Sequence, residues 1–191
     1  MSELFTTEGQ RKYLNAAERE AFLIAAENTP ANVRSLCNVL AFTGCRISEA
    51  LQLTPERIDH SDGLIIYRSL KKRDQNHFRG VPVPPALLSM LDLAHGLKKK
   101  RLSKTKPLWT WSRVHGYRLV KQVMQEAGIA GSQASPKGLR HSFGVLAVQK
   151  GIPLNLLQRW LGHSDIATTA IYAEAVGAEE KQLAARMWGS I

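Results

Sequence analysis

Apolar stripes at helical spacing, each closed by a glycine, limit this chain to a mainly helical architecture. Val33, Leu36, Cys37, Leu40 and Ala41 recur at i, i+3, i+4, i+7 and i+8 and stop at Gly44, a residue type free to take the left-handed turn that ends helices. The pattern returns with Leu87, Leu88, Leu91 and Ala94 before Gly96, and with Val114, Tyr117, Val120, Met124 and Ala127 before Gly128. It returns again with Leu156, Leu157, Trp160 and Leu161 before Gly162. Start signals agree with these stops. Asn15-Ala16-Ala17-Glu18 has the form of a capping box and predicts a helix from Ala16 to Glu27. Ser112 caps the helix of Val114, Ser135-Pro136 opens one whose inner stripe is Leu139, Phe143, Leu146 and Ala147, and Pro153 begins the next. A short helix over Ser48 to Leu53, a turn at Thr54-Pro55 and a last helix from Glu179 to Trp188 complete the set. The β-branched and aromatic run Leu64 to Leu70 and the extended Gly80-Val81-Pro82-Val83 flank polar Arg73 to Asn76, which predicts a hairpin with a basic tip. The fold class is therefore mainly α with a small antiparallel β-hairpin or sheet (α+β).

At 191 residues and 44% hydrophobic, the chain suits one domain with a substantial core. Its 26 Lys and Arg against 16 Asp and Glu give a formal charge of +10 and a pI near 9.9, a field that favours a polyanion. Ribosomal and membrane-surface proteins share such a charge, so it narrows the partner without naming it. Cys37 and Cys45 lie in or beside an apolar helix with no pairing pattern, which reads as reduced thiols of a cytoplasmic protein. The N-terminus is polar and no apolar run approaches the ~20 residues a bilayer span needs, so a soluble chain with no membrane partner is expected.

Near the C-terminus, Lys137-Gly138-Leu139-Arg140-His141 and Leu161-Gly162-His163 are followed by Ile171-Tyr172. Cations, imidazole and a phenol in that neighbourhood are what tyrosine attack on a phosphodiester requires. A phenol of pKa about 10 is a poor nucleophile until positive charge stabilises its anion. Arginine supplies that charge best, because its planar fork donates two hydrogen bonds to one phosphate and stays protonated. Upstream, Thr43-Gly44-Cys45-Arg46-Ile47-Ser48-Glu49-Ala50-Leu51 adds a second arginine at a helix boundary. Taken singly, Arg46 or Arg140 reads as a surface arginine or a partner of Glu49, Tyr172 as a packed aromatic, and His163 as a helix cap.

Together and in this order, the segments resemble the signature of the tyrosine recombinases, or phage integrases: T-G-x-R-x-S-E-x-L, a hairpin lysine, H-x-L-R-H, L-G-H and a tyrosine. The resemblance implies that family's catalytic-domain fold over residues 15–176, after a short N-terminal arm of 1–14. It leaves 177–191 as a C-terminal helix or tail available for protomer contacts. It implies that Arg46 and Arg140 grip the scissile phosphate, that His163 hydrogen-bonds it and assists the tyrosine, and that Tyr172 is the nucleophile. Lys71 is the preferred proton donor to the leaving 5′-oxygen. Its neighbour Lys72 points to the opposite strand face and remains the alternative. Lys72, Arg73, Arg79, Lys98, Lys99 and Lys100 are expected DNA contacts, although a solvated linker explains Lys98-Lys99-Lys100 as well.

One departure is Lys137, where the family usually has histidine. Stabilising the phosphate is the role an ammonium fills there, since acting as a base would require a lowered pKa. His141, next to Arg140, reads as structural support facing elsewhere. Neither a P-loop nor an acidic cluster for magnesium is visible, and His60, His77, His95 and His115 lack zinc-ligand spacing, so no cofactor or metal is expected. The implied function is site-specific strand exchange between DNA duplexes by four protomers on DNA, monomeric when free, with accessory DNA-bending proteins. Its location is the cytoplasm, at the nucleoid. A catalytically inactive DNA-binding regulator on the same fold is the alternative, and a relaxing enzyme of the type IB topoisomerase kind is a third reading. Few residues precede the catalytic domain, as in a minimal recombinase of the size of the fimbrial-switch invertases, or in a fragment.

Overall fold

A computed structural model describes residues 4–68, 78–98 and 103–173. Helix α1 (Ala16–Glu27) begins at the anticipated capping box. The Glu18 N–H donates to Asn15 Oδ1, and the Asn15 N–H donates to Glu18 Oε2, each at 2.8 Å. Helix α2 (Ala31–Thr43) is buried on nearly every side, with Leu36, Cys37, Val39 and Leu40 fully enclosed, so it forms the axis of the main core. It ends at Gly44 in the left-handed conformation (φ 61°). A Cβ there would lie 2.5 Å from the Phe143 ring, so glycine answers both a turn and a close approach. The anticipated short helix is one turn, α3 (Ile47–Ala50), and a 3-10 turn follows at Pro55–Arg57.

The sheet has three antiparallel strands in the order β1-β2-β3: Ile58–Asp59, Leu64–Arg68 and Phe78–Pro82. The two-residue β1 is too short to leave a periodic signal and was not anticipated. Register pairs Ile65 with Val81 and Tyr67 with Arg79. All four are buried, as the alternation of a half-buried sheet demands. The hairpin tip, including Lys71, Lys72 and Arg73, lies outside the described residues.

Helix α4 (Pro85–His95) ends at Gly96 as expected. Helix α5 (Arg113–Glu126) is capped by Ser112 but turns Gly116, Val120, Val123 and Met124 inward, leaving Val114 and Tyr117 exposed. Gly116 permits this rotation, because the side chain of Leu51 sits 3.3 Å from where its Cβ would be. Helices α6 (Pro136–Gln149), α7 (Leu154–Leu161) and α8 (Ala167–Ala170) complete the described chain. A second, smaller core gathers Leu4, Val145, Ala147, Leu157, Leu161 and Tyr172. Residues 174–191, with the anticipated last helix, lie outside the described residues. None of the described helices is long and apolar enough to cross a membrane.

Candidate active site

The left-handed turn at Gly44 hands the chain to Arg46, whose extended backbone (φ −72°, ψ 146°) makes it the residue that starts α3. Its N–H donates to Glu49 Oε2 at 2.7 Å, and its Nη1 donates to Glu49 Oε1 at 3.1 Å. The Arg46 side chain keeps 28% of its surface open while that of Glu49 has none. Burial alone would raise the Glu49 carboxyl, but hydrogen bonds from Arg79 and Arg46 outweigh it and hold the group below its ordinary range.

Arg140 projects from the second turn of α6 and is buried. Its Nη1 donates to the Gly44 carbonyl and its Nη2 to the Leu161 carbonyl, both at 2.8 Å. One guanidinium thus satisfies carbonyls left unpaired at the ends of two helices, where the helix dipole is negative. Burial, and then the charge of Arg46, lower its pKa to about 10, so it remains a cation at neutral pH.

Tyr172 is 1% exposed, and its Oη lies 3.2 Å from His141 Nδ1. Its ring presses on α6 at Gly144, where a Cβ would come within 2.5 Å of ring carbons, so only glycine admits it. Burial raises the phenol pKa, and Arg140 and Arg46 oppose that rise. His163 follows the left-handed Gly162 and meets Thr169 Oγ1 through Nδ1 at 2.9 Å. Its ring lies parallel to that of Tyr172, with centroids 6.4 Å apart. Burial, then Arg140 and Arg46, push the imidazole down to about 3, so it is neutral at neutral pH.

Arg46, Lys137, Arg140, His141, His163 and Tyr172 line one cavity of about 420 Å³. Five of these are anticipated site residues. His141 is the correction: it does not face elsewhere but sits one helical turn beyond Lys137 on the same face. The i, i+4 spacing was the available signal. Arg113 and Tyr117 of α5 also line this cavity, although the apolar stripe in the sequence places Tyr117 in the core and singles out neither. A larger cavity of about 710 Å³ between β3 and α7 shares Arg46, His163 and Thr168 with the first.

Arg79 is the second correction. Expected to contact DNA, it is 5% exposed. Its Nη1 and Nη2 donate to both oxygens of Glu49 at 3.1 and 2.7 Å, and its Nε donates to the Trp160 carbonyl at 2.7 Å. The strand register forces this, since Arg79 shares the inward face with Val81. Its guanidinium ties the hairpin to α3 and α7 and holds the carboxylate that positions Arg46. Lys98 is exposed, 3.4 Å from Asp92, and lines neither cavity. Lys71, Lys72, Arg73, Lys99 and Lys100 lie outside the described residues. Among the described residues, no group of three His, Cys, Asp or Glu is placed to hold a metal ion.

Residues 12–178 match the model of the phage integrase family. The tyrosine recombinase XerH of Campylobacter jejuni is 28% identical over 178 residues, covering 90% of this chain and 48% of that protein. A crystal structure of XerH site-specific recombinase bound to palindromic difH substrate, a post-cleavage complex, superposes with a TM-score of 0.77 at 25% identity. That match covers 100% of this chain and 57% of the other. The catalytic domain of bacteriophage HP1 integrase shares the fold at 22% identity, with a TM-score of 0.68, 90% of this chain and 92% of that domain being covered. The chain spans about half the length of the curated relatives it matches, 48% to 58% of three of them.

Proposed function

This chain belongs to the phage integrase family, and from that membership and the geometry of the cavity we propose that it is a tyrosine site-specific DNA recombinase. The observation that carries the proposal is the convergence of Arg46, Arg140, His163, Lys137 and Tyr172 on one cavity, from segments as far apart as α3 and the turn after α8. Tyr172 Oη attacks the scissile phosphorus, leaving a 3′-phosphotyrosyl bond and a free 5′-hydroxyl. Arg46 and Arg140 stabilise the charge that grows on the non-bridging oxygens, which is electrostatic catalysis of the oxyanion-hole kind. Lys137 adds positive charge at the rim, His163 donates to the phosphate, and Lys71 protonates the leaving oxygen. The phosphodiester energy is retained in the tyrosyl bond, so rejoining needs no ATP.

The partner is duplex DNA carrying short recombination sites, with Lys72, Arg73, Lys98, Lys99 and Lys100 on its backbone. Four protomers assemble on paired sites and act two at a time, aided by DNA-bending proteins, in the cytoplasm at the nucleoid. The alternative, an inactive DNA-binding regulator, is separated by one assay. Nicked duplexes are drawn from a random-sequence pool by covalent capture on the chain. Capture by the unmodified chain, lost in Tyr172→Phe with DNA binding retained, supports the recombinase. Binding without any adduct refutes it, and an adduct persisting in Tyr172→Phe refutes Tyr172 as nucleophile.

A further inference from the structure

We propose that His141 is a catalytic residue of this chain, its Nδ1 taking the phenolic proton of Tyr172 as Oη attacks phosphorus; the inference rests on the recombinase reading above. The two atoms are 3.2 Å apart, within the reach that proton transfer requires, and both residues are buried. The rings are tilted by 54°, with centroids 5.8 Å apart. The transfer needs the tautomer with its proton on Nε2, so that Nδ1 accepts from the phenol.

Other groups lining the cavity are poorly suited to the task. Arg46 and Arg140 are guanidiniums with no acceptor, and Lys137 is an exposed ammonium with none. His163 has its Nδ1 engaged by Thr169 and lies parallel to the tyrosine ring. Lys137 occupies the position where the family signature has its first histidine, and His141 stands one turn further along the same face. In this chain the phosphate-directed cation and the proton acceptor are therefore separate residues.

The charges around His141 favour a neutral ring before DNA arrives. Burial first, then Lys137 and Arg140 on its own helix and Lys12 in the segment before α1, bring its pKa down to about 4. His163 and Tyr172 face it from the turns around α8. A bound phosphate offsets those cations and makes the imidazole more basic at the moment a proton must move. The step balances. The Oη–H bond breaks and its proton goes to Nδ1. An Oη–P bond forms as the P–O5′ bond breaks, and the 5′-oxygen leaves with a proton from the hairpin lysine. Religation reverses each transfer, and His141 returns the proton to Oη.

The test measures covalent-adduct formation on a nicked duplex captured as above. His141→Asn keeps an acceptor near the position of Nδ1 but cannot take the proton, and it should slow the adduct about 100-fold. Placing at 172 a polyfluorinated tyrosine that is ionised at neutral pH removes the need for a base. His141→Asn should then cost only a few-fold. An equal loss with both phenols would show that His141 only positions Tyr172, and a rate within a few-fold of wild type in His141→Asn would show that it takes no part. Either result overturns the inference. If His141→Asn fails to fold, His141→Gln carries the same comparison between the two phenols, and an equal loss with both overturns the inference. An unmodified chain that captures no duplex refutes the recombinase reading itself, whereas capture at full rate by His141→Asn refutes only this one.

Discussion

Replacing Glu49 by Gln tests whether one buried carboxylate organises both the hairpin and Arg46. The carboxylate accepts two hydrogen bonds from Arg79 and two from Arg46, between 2.7 and 3.1 Å. Side-chain exposure is 0% for Glu49 and 3% for Arg79, so the pair is out of reach of solvent screening. Gln places an NH₂ where an oxygen accepts, setting donor against donor, and leaves the Arg79 charge without a counter-ion. Removing one partner of such a pair costs about 3–5 kcal/mol, which for a chain of this size lowers Tm by about 6–20 °C. Thermal unfolding at pH 7 followed by circular dichroism reads the loss. Glu49→Gln/Arg79→Met should recover most of it, since the buried charge goes too. The folded Glu49 carboxyl sits below its ordinary value of 4.5, so its contribution is complete above pH 4.5 and fades as pH falls through the folded value. The gap between wild type and Glu49→Gln should therefore narrow in acid. A loss at pH 7 below about 1 kcal/mol, the range of an exposed pair, would refute the reasoning.

Three further outcomes are expected. Arg140→Lys keeps the charge but cannot span the Gly44 and Leu161 carbonyls, and adduct formation should fall about 100-fold, whereas a rate near wild type would remove Arg140 from the phosphate. Gly144→Ala gains up to about 1 kcal/mol of helix propensity but drives a methyl into the Tyr172 ring, an overpacking cost of about 1–3 kcal/mol. Tm and adduct rate should both drop, and a raised Tm with unchanged rate would contradict the packing described. A substrate with sulfur at the bridging 5′ position should rescue Lys71→Ala but not Lys72→Ala, because a thiolate leaves unprotonated; the reverse pattern would move the acid to Lys72.

Features set by local chemistry were legible from residues alone. The capping box located α1 to the residue, and glycines located the ends of α2, α4 and α7. Arg46, Lys137, Arg140, His163 and Tyr172 could be grouped because their motifs carry a recognisable order, and they do converge. What escaped depends on tertiary choice. Arg79 on a basic hairpin looks like a DNA contact until strand register turns it toward Glu49. The rotation of α5 brings Gly116 against Leu51, and a glycine gives no apolar signal that would extend the stripe of Val120, Val123 and Met124 to it. Along the chain His141 adjoins Arg140, whereas on the helix its neighbour is Lys137.

The placement of Tyr172 within the smaller core has a consequence for how an inactive variant is chosen. It is the bulkiest buried side chain of that cluster, among Leu4, Val145, Ala147, Leu157 and Leu161. Truncating it to alanine would open a cavity at a cost of about 3–5 kcal/mol, a large share of the 5–15 kcal/mol that holds a typical domain together. An inert Ala variant would thus report lost packing as much as lost chemistry, whereas Phe removes the oxygen and keeps the ring in its seat. The same coupling runs the other way: substitutions at Leu4, Val145 or Leu157, none of which lines the cavity, are expected to displace Tyr172 Oη by loosening the ring that carries it.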